Sequence, residues 1–305
     1  MTQEHLVEIL LSSYNGEKYI TQQLDSIISQ EYRNWILLIR DDGSTDRTPE
    51  ILDRYRSKDS RIKIIRDSKG NIGARKSFLE LLTLATADYI LFSDQDDVWL
   101  DNKISQSIAD ILHAEKSYGK KPILVYTNYQ LVDERLHHLD QYDRDDWKYS
   151  LSKNAFTDLI KYNRIPGCTM CINRQTKELA GSVPANIEMY DSWLAWIAST
   201  MGKIIYDKNI SMLYRRHENN FYASNRHGDL YQALKVLFNC AKYKSGNGGF
   251  IKDRLVQSRL FYDKYGESLS AADRNTLLDF MKMETKNTPR FMFLMVRYFL
   301  LNQYD

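Results

Sequence analysis

The sequence predicts an α/β fold in which helices cover both faces of a β-sheet. One observation is that short apolar runs, each ending in polar turn residues, alternate with amphipathic segments from Val7 to Ser93. This alternation is typical of parallel strands joined by crossover helices. A second observation is size, because 305 residues, 43% apolar and 12% aromatic, suffice for a large core and about two structural units.

The first strand is predicted to begin at Val7, where an apolar run leads into a polar turn. Apolar residues then recur at helical spacing, at Ile20, Leu24, Ile27 and Ile28. Further strands are predicted at residues 35–39, 61–67 and 88–93, and helices at residues 19–30, 48–56 and 77–86.

Beyond residue 121 the pattern changes to short, isolated apolar runs. The predicted strands are residues 123–126, 168–173, 203–207 and 211–215, and the predicted helix is residues 190–201. A polar stretch at residues 133–147 is predicted to form loops that contact an acceptor substrate. These elements complete a first domain at residues 1–225.

The remainder, residues 226–305, is predicted to be a helical C-terminal region with a flexible Ser-Gly-Asn-Gly-Gly joint at residues 245–249. Its tail is both basic and apolar, with Arg290, Arg297 and an 11-residue apolar segment at 291–301. Such a tail suits an anionic membrane surface. Packing on the first domain, or on another copy in a homo-oligomer, explains it about equally well.

Composition excludes several other classes of protein. A net charge of +2 is too small for nucleic acid to be the main partner. Three cysteines cannot form a disulfide framework, and the N-terminus lacks the build of a signal peptide. No apolar run reaches the roughly 18 residues that span a bilayer. We therefore expect a cytoplasmic protein, either free or peripheral on the inner face of the membrane.

Acidic and polar residues stand where the apolar runs stop, at residues 12–15, 41–44 and 94–97. In open α/β sheets, ligands bind outside the carboxyl ends of the strands. Two carboxylate clusters that meet in one crevice would repel each other unless a cation or a hydrogen-bond donor lay between them. The sequence therefore predicts a ligand site at this edge.

Four ordered motifs carry a family resemblance: LSSYNGE at 11–17, RDDGSTD at 40–46, NIGARKSF at 71–78 and FSDQDDVW at 92–99. Together they resemble the inverting glycosyltransferases of family 2, over residues 5–222. The resemblance implies a GT-A fold, a Rossmann-like nucleotide-binding mixed sheet flanked by helices. Three later segments, PGCTM at 166–170, MYDSW at 189–193 and YRRHENN at 214–220, resemble the bacterial rhamnosyltransferase branch.

Asp94 and Asp96 match the D-x-D element with which this family holds a divalent cation against the donor diphosphate. Hard carboxylate oxygens suit Mg²⁺ or Mn²⁺. Asp96 is the expected direct ligand, while Asp94 faces the ribose or acts through water, and Asp97 orients the loop. His217 resembles the family's late histidine that reaches back to the cation or the diphosphate.

The nucleotide pocket is inferred from the same resemblance. Asp42 is expected to accept a hydrogen bond from the N3 imino group of uracil or thymine, with Ser12, Tyr14 and Glu17 beside the base and ribose. Two basic residues, Arg75 and Lys76, are expected to meet the phosphates, because arginine can bind a phosphate bidentately. A solvated helix start is the alternative for this pair.

Asp191 matches the catalytic aspartate that precedes a Trp-containing helix, and Glu188 is a weaker alternative. An inverting transfer needs such a group to take the proton from the acceptor hydroxyl. Trp193 is expected either to stack on an acceptor sugar or to pack in the core. Cys168 and Thr169 are expected to wall the acceptor site; the C-x-x-C spacing with Cys171 lacks a second ligand pair for zinc.

The resemblance implies an inverting, metal-dependent transfer of L-rhamnose from dTDP-L-rhamnose to a bacterial surface polysaccharide or its lipid-linked precursor. A UDP-hexose donor with the same mechanism is the first alternative. A non-catalytic subunit that binds nucleotide sugar or glycan is the second. A nucleotidyltransferase is disfavoured, because residues 12–18 lack the Gly-rich basic phosphate loop that such enzymes need.

Overall fold

Eight β-strands form one mixed sheet in the structure, a computed structural model that describes residues 5–139, 151–181, 183–184, 186–217, 250–282 and 284. The strands are β1 (Val7–Ser13), β2 (Trp35–Asp41), β3 (Ile62–Ile65), β4 (Tyr89–Ser93), β5 (Val98–Trp99), β6 (Ile123–Val132), β7 (Met170–Asn173) and β8 (Lys203–Arg215). The helices are α1 (Ile20–Ile28), α2 (Thr48–Lys58), α3 (Ala74–Leu84), α4 (Lys103–Tyr118), α5 (Ala155–Lys161), α6 (Arg174–Ala180), α7 (Tyr190–Met201), α8 (Phe250–Tyr265) and α9 (Ala271–Lys282).

The strand order is β3-β2-β1-β4-β7-β6-β8-β5. The first four strands pair in parallel, as the alternating pattern predicts. The sheet becomes mixed at β7, which runs antiparallel to both β4 and β6. Because β1, β2 and β4 are parallel neighbours, their carboxyl ends, and the polar turns that follow them, lie at one edge.

Two buried layers cover the sheet, and side chains alternate between them along each strand. In β1, Val7, Ile9 and Leu11 face the layer formed with α1, α2 and α4, whereas Leu10 faces the layer formed with α3 and the later helices. Both faces of these strands are therefore buried, which explains their nearly continuous apolar sequences.

The helices after residue 249 belong to the second of these layers. Leu255 and Phe261 of α8 and Leu277 of α9 are at most 1% exposed and lie in the same cluster as α3 and α7. The predicted domain boundary near residue 225, the joint at 245–249 and the tail at 291–301 lie outside the described residues. In the described part of the chain, no helix is long and apolar enough to span a membrane.

Several predicted bounds after residue 121 differ from the structure. The strand predicted at 123–126 continues to Val132, and the strand predicted at 168–173 begins only at Met170, because Gly167–Thr169 form a 3-10 turn. Residues 203–207 and 211–215 form one continuous strand, β8, rather than two. Lys208 and Asn209, whose polarity favours a turn, lie at a register shift, since Thr127 pairs with Asp207 and the next residue of β6 pairs with Ile210. A bulge thus accommodates the polar residues without ending the strand.

Candidate active site

The loops that follow β1 and β4 are joined by the side chain of Gln95. Its Oε1 accepts hydrogen bonds from the Ser13 hydroxyl at 2.8 Å and the Tyr14 amide at 2.9 Å, and its Nε2 donates to the Tyr14 carbonyl at 2.9 Å. A Cβ on Gly16 would lie 2.2 Å from Gln95 Oε1, so glycine permits this approach. Gln95, the middle residue of the D-x-D element, therefore aligns the predicted metal and nucleotide loops.

The predicted nucleotide residues of the first loop lie at this edge with different exposures. Tyr14 is 45% exposed. The exposed Glu17 accepts a hydrogen bond from the Arg47 amide at 3.0 Å, and the Ser12 hydroxyl donates to Ser77 at 2.7 Å. Tyr14 and Glu17 are thus open to a ligand, whereas Ser12 is tied to α3.

Asp42 has a structural environment that differs from the one predicted. It is 2% exposed, forms an ion pair with Arg40, and accepts hydrogen bonds from the amides of Ile72 at 2.9 Å and Gly73 at 2.8 Å. Arg40 also pairs with Asp67 at 2.8 Å. These contacts make the Asp42 carboxylate a brace for the loop before α3, and its contact with the base stays a prediction.

The two predicted phosphate ligands diverge from each other. Arg75 Nη1 donates to the Ile187 carbonyl at 2.5 Å, which places it against the segment that leads to Asp191. Lys76 is exposed and lines a surface cavity of about 590 Å³ together with Lys69 and Lys177. That cavity contains none of the strand-end residues, so the structure favours the solvated alternative for Lys76.

Asp96 and His217 meet although 121 residues separate them in the sequence. The distance between Asp96 Oδ2 and His217 Nε2 is 2.7 Å, and the His217 ring stacks on Tyr19 with centroids 4.9 Å apart. Arg215 is buried and 1% exposed. Its guanidinium donates hydrogen bonds to the Asp96 carbonyl at 2.7 Å and to Gln22 Oε1 at 2.6 Å. The same guanidinium lies 4.7 Å from the centre of the Tyr19 ring. The sequence predicts anion binding for Arg215, as a neighbour of His217, but not this contact with the Asp96 loop.

Asp94 of the D-x-D element also lies close to Asp97 and Cys168. One ligand atom each from Asp94, Asp97 and Cys168 lies within 4.8 Å of the others. Burial, followed by the charge of neighbouring carboxylates, raises the pKa of Asp94 to about 7 and that of Asp97 well above its usual range. The fully buried Lys103 provides a compensating cation, and burial lowers its pKa to about 8.

These residues fit a hard divalent cation. Asp94 and Asp96 offer carboxylate oxygens, and His217 offers an imidazole nitrogen already in contact with one of them. Asp97 Oδ2 is buried and has no hydrogen-bond partner among the described residues. Buried acceptor oxygens normally have a partner, and a nearby cation would compensate this one. The carboxylate oxygens suit Mg²⁺ or Mn²⁺.

Asp191 lies in the first turn of α7 and is 5% exposed. Its carboxylate accepts hydrogen bonds from the Ser192 amide at 2.6 Å and the Gly167 amide at 3.2 Å. Burial, and then the charges of Glu188 and Asp94, raise the pKa of Asp191 to about 7. A carboxylate with such a pKa suits a general base that works near neutral pH.

The predicted acceptor residues are all buried. Trp193 is 0% exposed and packs edge-on against Phe261 at 5.3 Å and beside Tyr265 at 6.0 Å. Cys168 and Thr169 are 2% and 1% exposed. A fully buried indole cannot stack on a sugar without displacing α8, so the structure favours the core-packing alternative for Trp193.

Comparisons with known sequences agree with these motifs. Residues 8–173 match the family "Glycosyl transferase family 2". A relative in Escherichia coli, the UDP-Glc:alpha-D-GlcNAc-diphosphoundecaprenol beta-1,3-glucosyltransferase WfgD, is 35% identical over 272 residues, 87% of each chain. The dTDP-rhamnosyl transferase RfbG of Shigella flexneri is 33% identical over 230 residues, 70% of this chain and 74% of that protein.

Solved structures with a similar fold include S. aureus TarS in complex with UDP-GlcNAc, with a TM-score of 0.57, 14% identity, and coverage of 98% of this chain and 93% of that chain. The mannosyltransferase PcManGT from Pyrobaculum calidifontis, in complex with GDP-Man and Mn²⁺, gives a TM-score of 0.56 at 15% identity, with 98% and 86% coverage. These likenesses confirm the predicted GT-A fold. The sequence matches establish that the chain is a glycosyltransferase and belongs to glycosyltransferase family 2.

Proposed function

We propose that this glycosyltransferase is an inverting enzyme that uses a divalent cation and a pyrimidine-nucleotide sugar, and that it extends a lipid-linked precursor of a bacterial surface polysaccharide. The observation that carries the proposal is the meeting of Asp96 with His217 at the edge where β1, β2 and β4 end. The D-x-D loop and the late histidine form a coherent ligand site there, and the partly exposed Tyr14 and Glu17 flank it.

Asp94, Asp96 and His217 are the residues that would hold the cation. When bound, such a cation supplies Lewis-acid stabilisation to the diphosphate leaving group. Arg75 adds a cation near the segment that carries Asp191. We propose that Asp42 fixes the loop at residues 70–73, and that the exposed residues of the first loop contact the nucleoside.

Asp191 is the proposed catalytic base. Its carboxylate would accept the proton of the acceptor hydroxyl while that oxygen attacks the anomeric carbon opposite the leaving diphosphate. Hydrogen bonds from Gly167 and Ser192 orient the carboxylate, and burial keeps its basicity high enough for the task. Glu188 is the poorer candidate, because it is paired with Arg254 at 2.5 Å.

Two donors are supported to different degrees. The glucosyltransferase named above is similar along 87% of both chains, which favours UDP-glucose and an acceptor that ends in a GlcNAc diphosphate. The rhamnosyltransferase is similar over 70% of this chain, which keeps dTDP-L-rhamnose as the second candidate. The choice between the two donor sugars depends on contacts in the sugar pocket, where a single methyl group changes the binding free energy by about 1–3 kcal/mol.

Calorimetric titration tests the donor site without knowledge of the acceptor. We expect UDP-glucose or dTDP-L-rhamnose to bind in the presence of Mn²⁺, and GDP-mannose to bind at least tenfold more weakly. Asp96→Ala should weaken the Mn²⁺-dependent binding at least tenfold, whereas Asp263→Asn, an exposed carboxylate change on α8, should leave it unchanged. Binding that is equal with and without Mn²⁺ would contradict the assignment of the cation site.

A transfer assay distinguishes the enzyme from a non-catalytic binding subunit. Donor, Mn²⁺ and a synthetic GlcNAc-diphosphate lipid are incubated with the protein, and released nucleoside diphosphate is measured. A silent subunit would bind donor but release no more nucleoside diphosphate than the buffer control. The proposed enzyme releases it in proportion to glycosylated lipid.

A further inference from the structure

Helix α8 contacts the segment that carries the proposed base through one fully buried glutamine. Gln257 is 0% exposed. Its Oε1 accepts a hydrogen bond from the Glu188 amide at 3.0 Å, and its Nε2 donates to the Ser192 hydroxyl at 2.9 Å. These two contacts lie on either side of Asp191 in the sequence, so one side chain spans the backbone that presents the carboxylate.

A neighbouring arginine fixes α8 against the same segment. Arg254 is 2% exposed and donates to the carbonyls of Leu159 at 2.9 Å and Ile160 at 2.7 Å, at the end of α5. It also forms the 2.5 Å ion pair with Glu188. Gln257 therefore sits on a helix that is itself held firmly beside the base.

The start of α7 needs this external support. Its N-cap residue, Met189, offers no side-chain hydrogen bond to the first turn. Helices usually fix their free N-terminal amides with such a cap. Apart from its own helix, Asp191 contacts the Gly167 amide at 3.2 Å, a long hydrogen bond. The position of the Asp191 carboxylate thus depends on what holds residues 188 and 192.

We propose that Gln257 is a positioning residue for the catalytic base, and that α8 is for this reason an integral part of the active site rather than an accessory to it. The inference rests on the proposed role of Asp191. Gln257 holds the Glu188 amide on one side of that residue and the Ser192 hydroxyl on the other, so its loss misplaces the base without altering the strand-end site for the donor.

The test compares Gln257→Leu, which removes both hydrogen bonds at similar volume, with Ser258→Ala. Ser258 is also 0% exposed, but among the described residues its hydroxyl bonds only to the Arg254 carbonyl of its own helix, at 2.8 Å. For Gln257→Leu we expect turnover to fall at least tenfold while the calorimetric Kd for UDP-glucose with Mn²⁺ stays within twofold. Ser258→Ala should keep both values.

Hydrogen exchange provides a readout that needs no acceptor. Amides of residues 186–193 should exchange at least tenfold faster in Gln257→Leu than in the wild type, with no change in Ser258→Ala. Ser192→Ala removes one of the two bonds and should give an intermediate effect, which guards against misfolding of the first variant. Unchanged exchange at residues 186–193 in folded Gln257→Leu would overturn the proposal.

Asp191→Asn measured in parallel separates the two proposals. If Asp191→Asn is inactive while Gln257→Leu turns over normally, the positioning role is refuted and the base assignment stands. If Asp191→Asn retains full turnover, the base assignment itself fails, and any effect of Gln257→Leu belongs to another group.

Discussion

Replacing Asp191 by asparagine should stabilise the protein while it abolishes transfer, and the gain should depend on pH. Burial raises the pKa of Asp191 from 3.8 to about 7. A raised carboxyl pKa means that the folded state binds the proton more tightly than the unfolded state does. Ionisation therefore costs stability increasingly as pH rises from about 4, and the full cost is reached above about pH 7.

The magnitude follows from the two pKa values. One pKa unit corresponds to about 1.4 kcal/mol, so the raised pKa lowers the free energy of unfolding by about 4 kcal/mol at pH 8, where the folded carboxyl is ionised, and by about 2 kcal/mol at pH 5, where it is still protonated. The stability advantage of Asp191→Asn should therefore grow by roughly 2–3 kcal/mol between these pH values. The amide can still accept one of the hydrogen bonds from Gly167 and Ser192, and any loss from the other is independent of pH.

Urea unfolding at pH 5 and pH 8 measures this difference, with unchanged m-values as the check that the unfolded states are comparable. Asp263→Asn is the matched control, because it removes an exposed carboxylate and should show no such growth. A stability difference between Asp191→Asn and the wild type that is the same at both pH values would refute the reasoning, because a buried ionisable carboxylate must titrate.

Three further predictions follow from the same contacts. The transfer rate at saturating donor should rise with pH as Asp191 ionises, with a midpoint near 7 in a pH–rate profile, and a flat profile between pH 6 and 8 would contradict the base assignment. Arg215→Lys should weaken Mn²⁺ binding at least tenfold in calorimetry, since lysine cannot hold the Asp96 carbonyl and Gln22 together. Arg216→Lys is the control, and an Mn²⁺ affinity of Arg215→Lys equal to that of the wild type would argue against a role of Arg215 in holding the Asp96 loop. Gly167→Ala should destabilise the fold by about 1–3 kcal/mol in urea unfolding, because its Cβ would lie 2.0 Å from the buried Tyr190 hydroxyl; an unchanged midpoint would show that Tyr190 can move.

The parallel half of the sheet was predictable because its strands are buried on both faces and therefore form short apolar runs that end in polar turns. The same logic placed the acidic D-x-D element at the strand ends. It failed at β8, where Lys208 and Asn209 favour a turn but form a bulge within a strand that pairs with β6. The polarity of a short segment cannot indicate that the neighbouring strand continues and pairs with residues on both sides of that segment.

The contacts between residues far apart along the chain could not be predicted from the sequence. The resemblance predicted that His217 reaches back to the cation site, but not that its ring would stack on Tyr19, which Arg215 contacts in turn. Asp42 was assigned to the base from its motif alone, and only the fold reveals that two amides and Arg40 occupy its carboxylate. Gln257 carried no signal, because a lone glutamine on a helix is ordinarily a surface residue.

The central claim is that a nucleotide sugar at the strand-end site is attacked by an acceptor hydroxyl that Asp191 deprotonates. The most direct measurement is the anomeric configuration of the product, determined by NMR after transfer from UDP-glucose or dTDP-L-rhamnose to a GlcNAc-diphosphate lipid with Mn²⁺. We expect the configuration to be inverted relative to the donor, and no product with Asp191→Asn. A product with retained configuration, or full transfer by Asp191→Asn, would contradict the account.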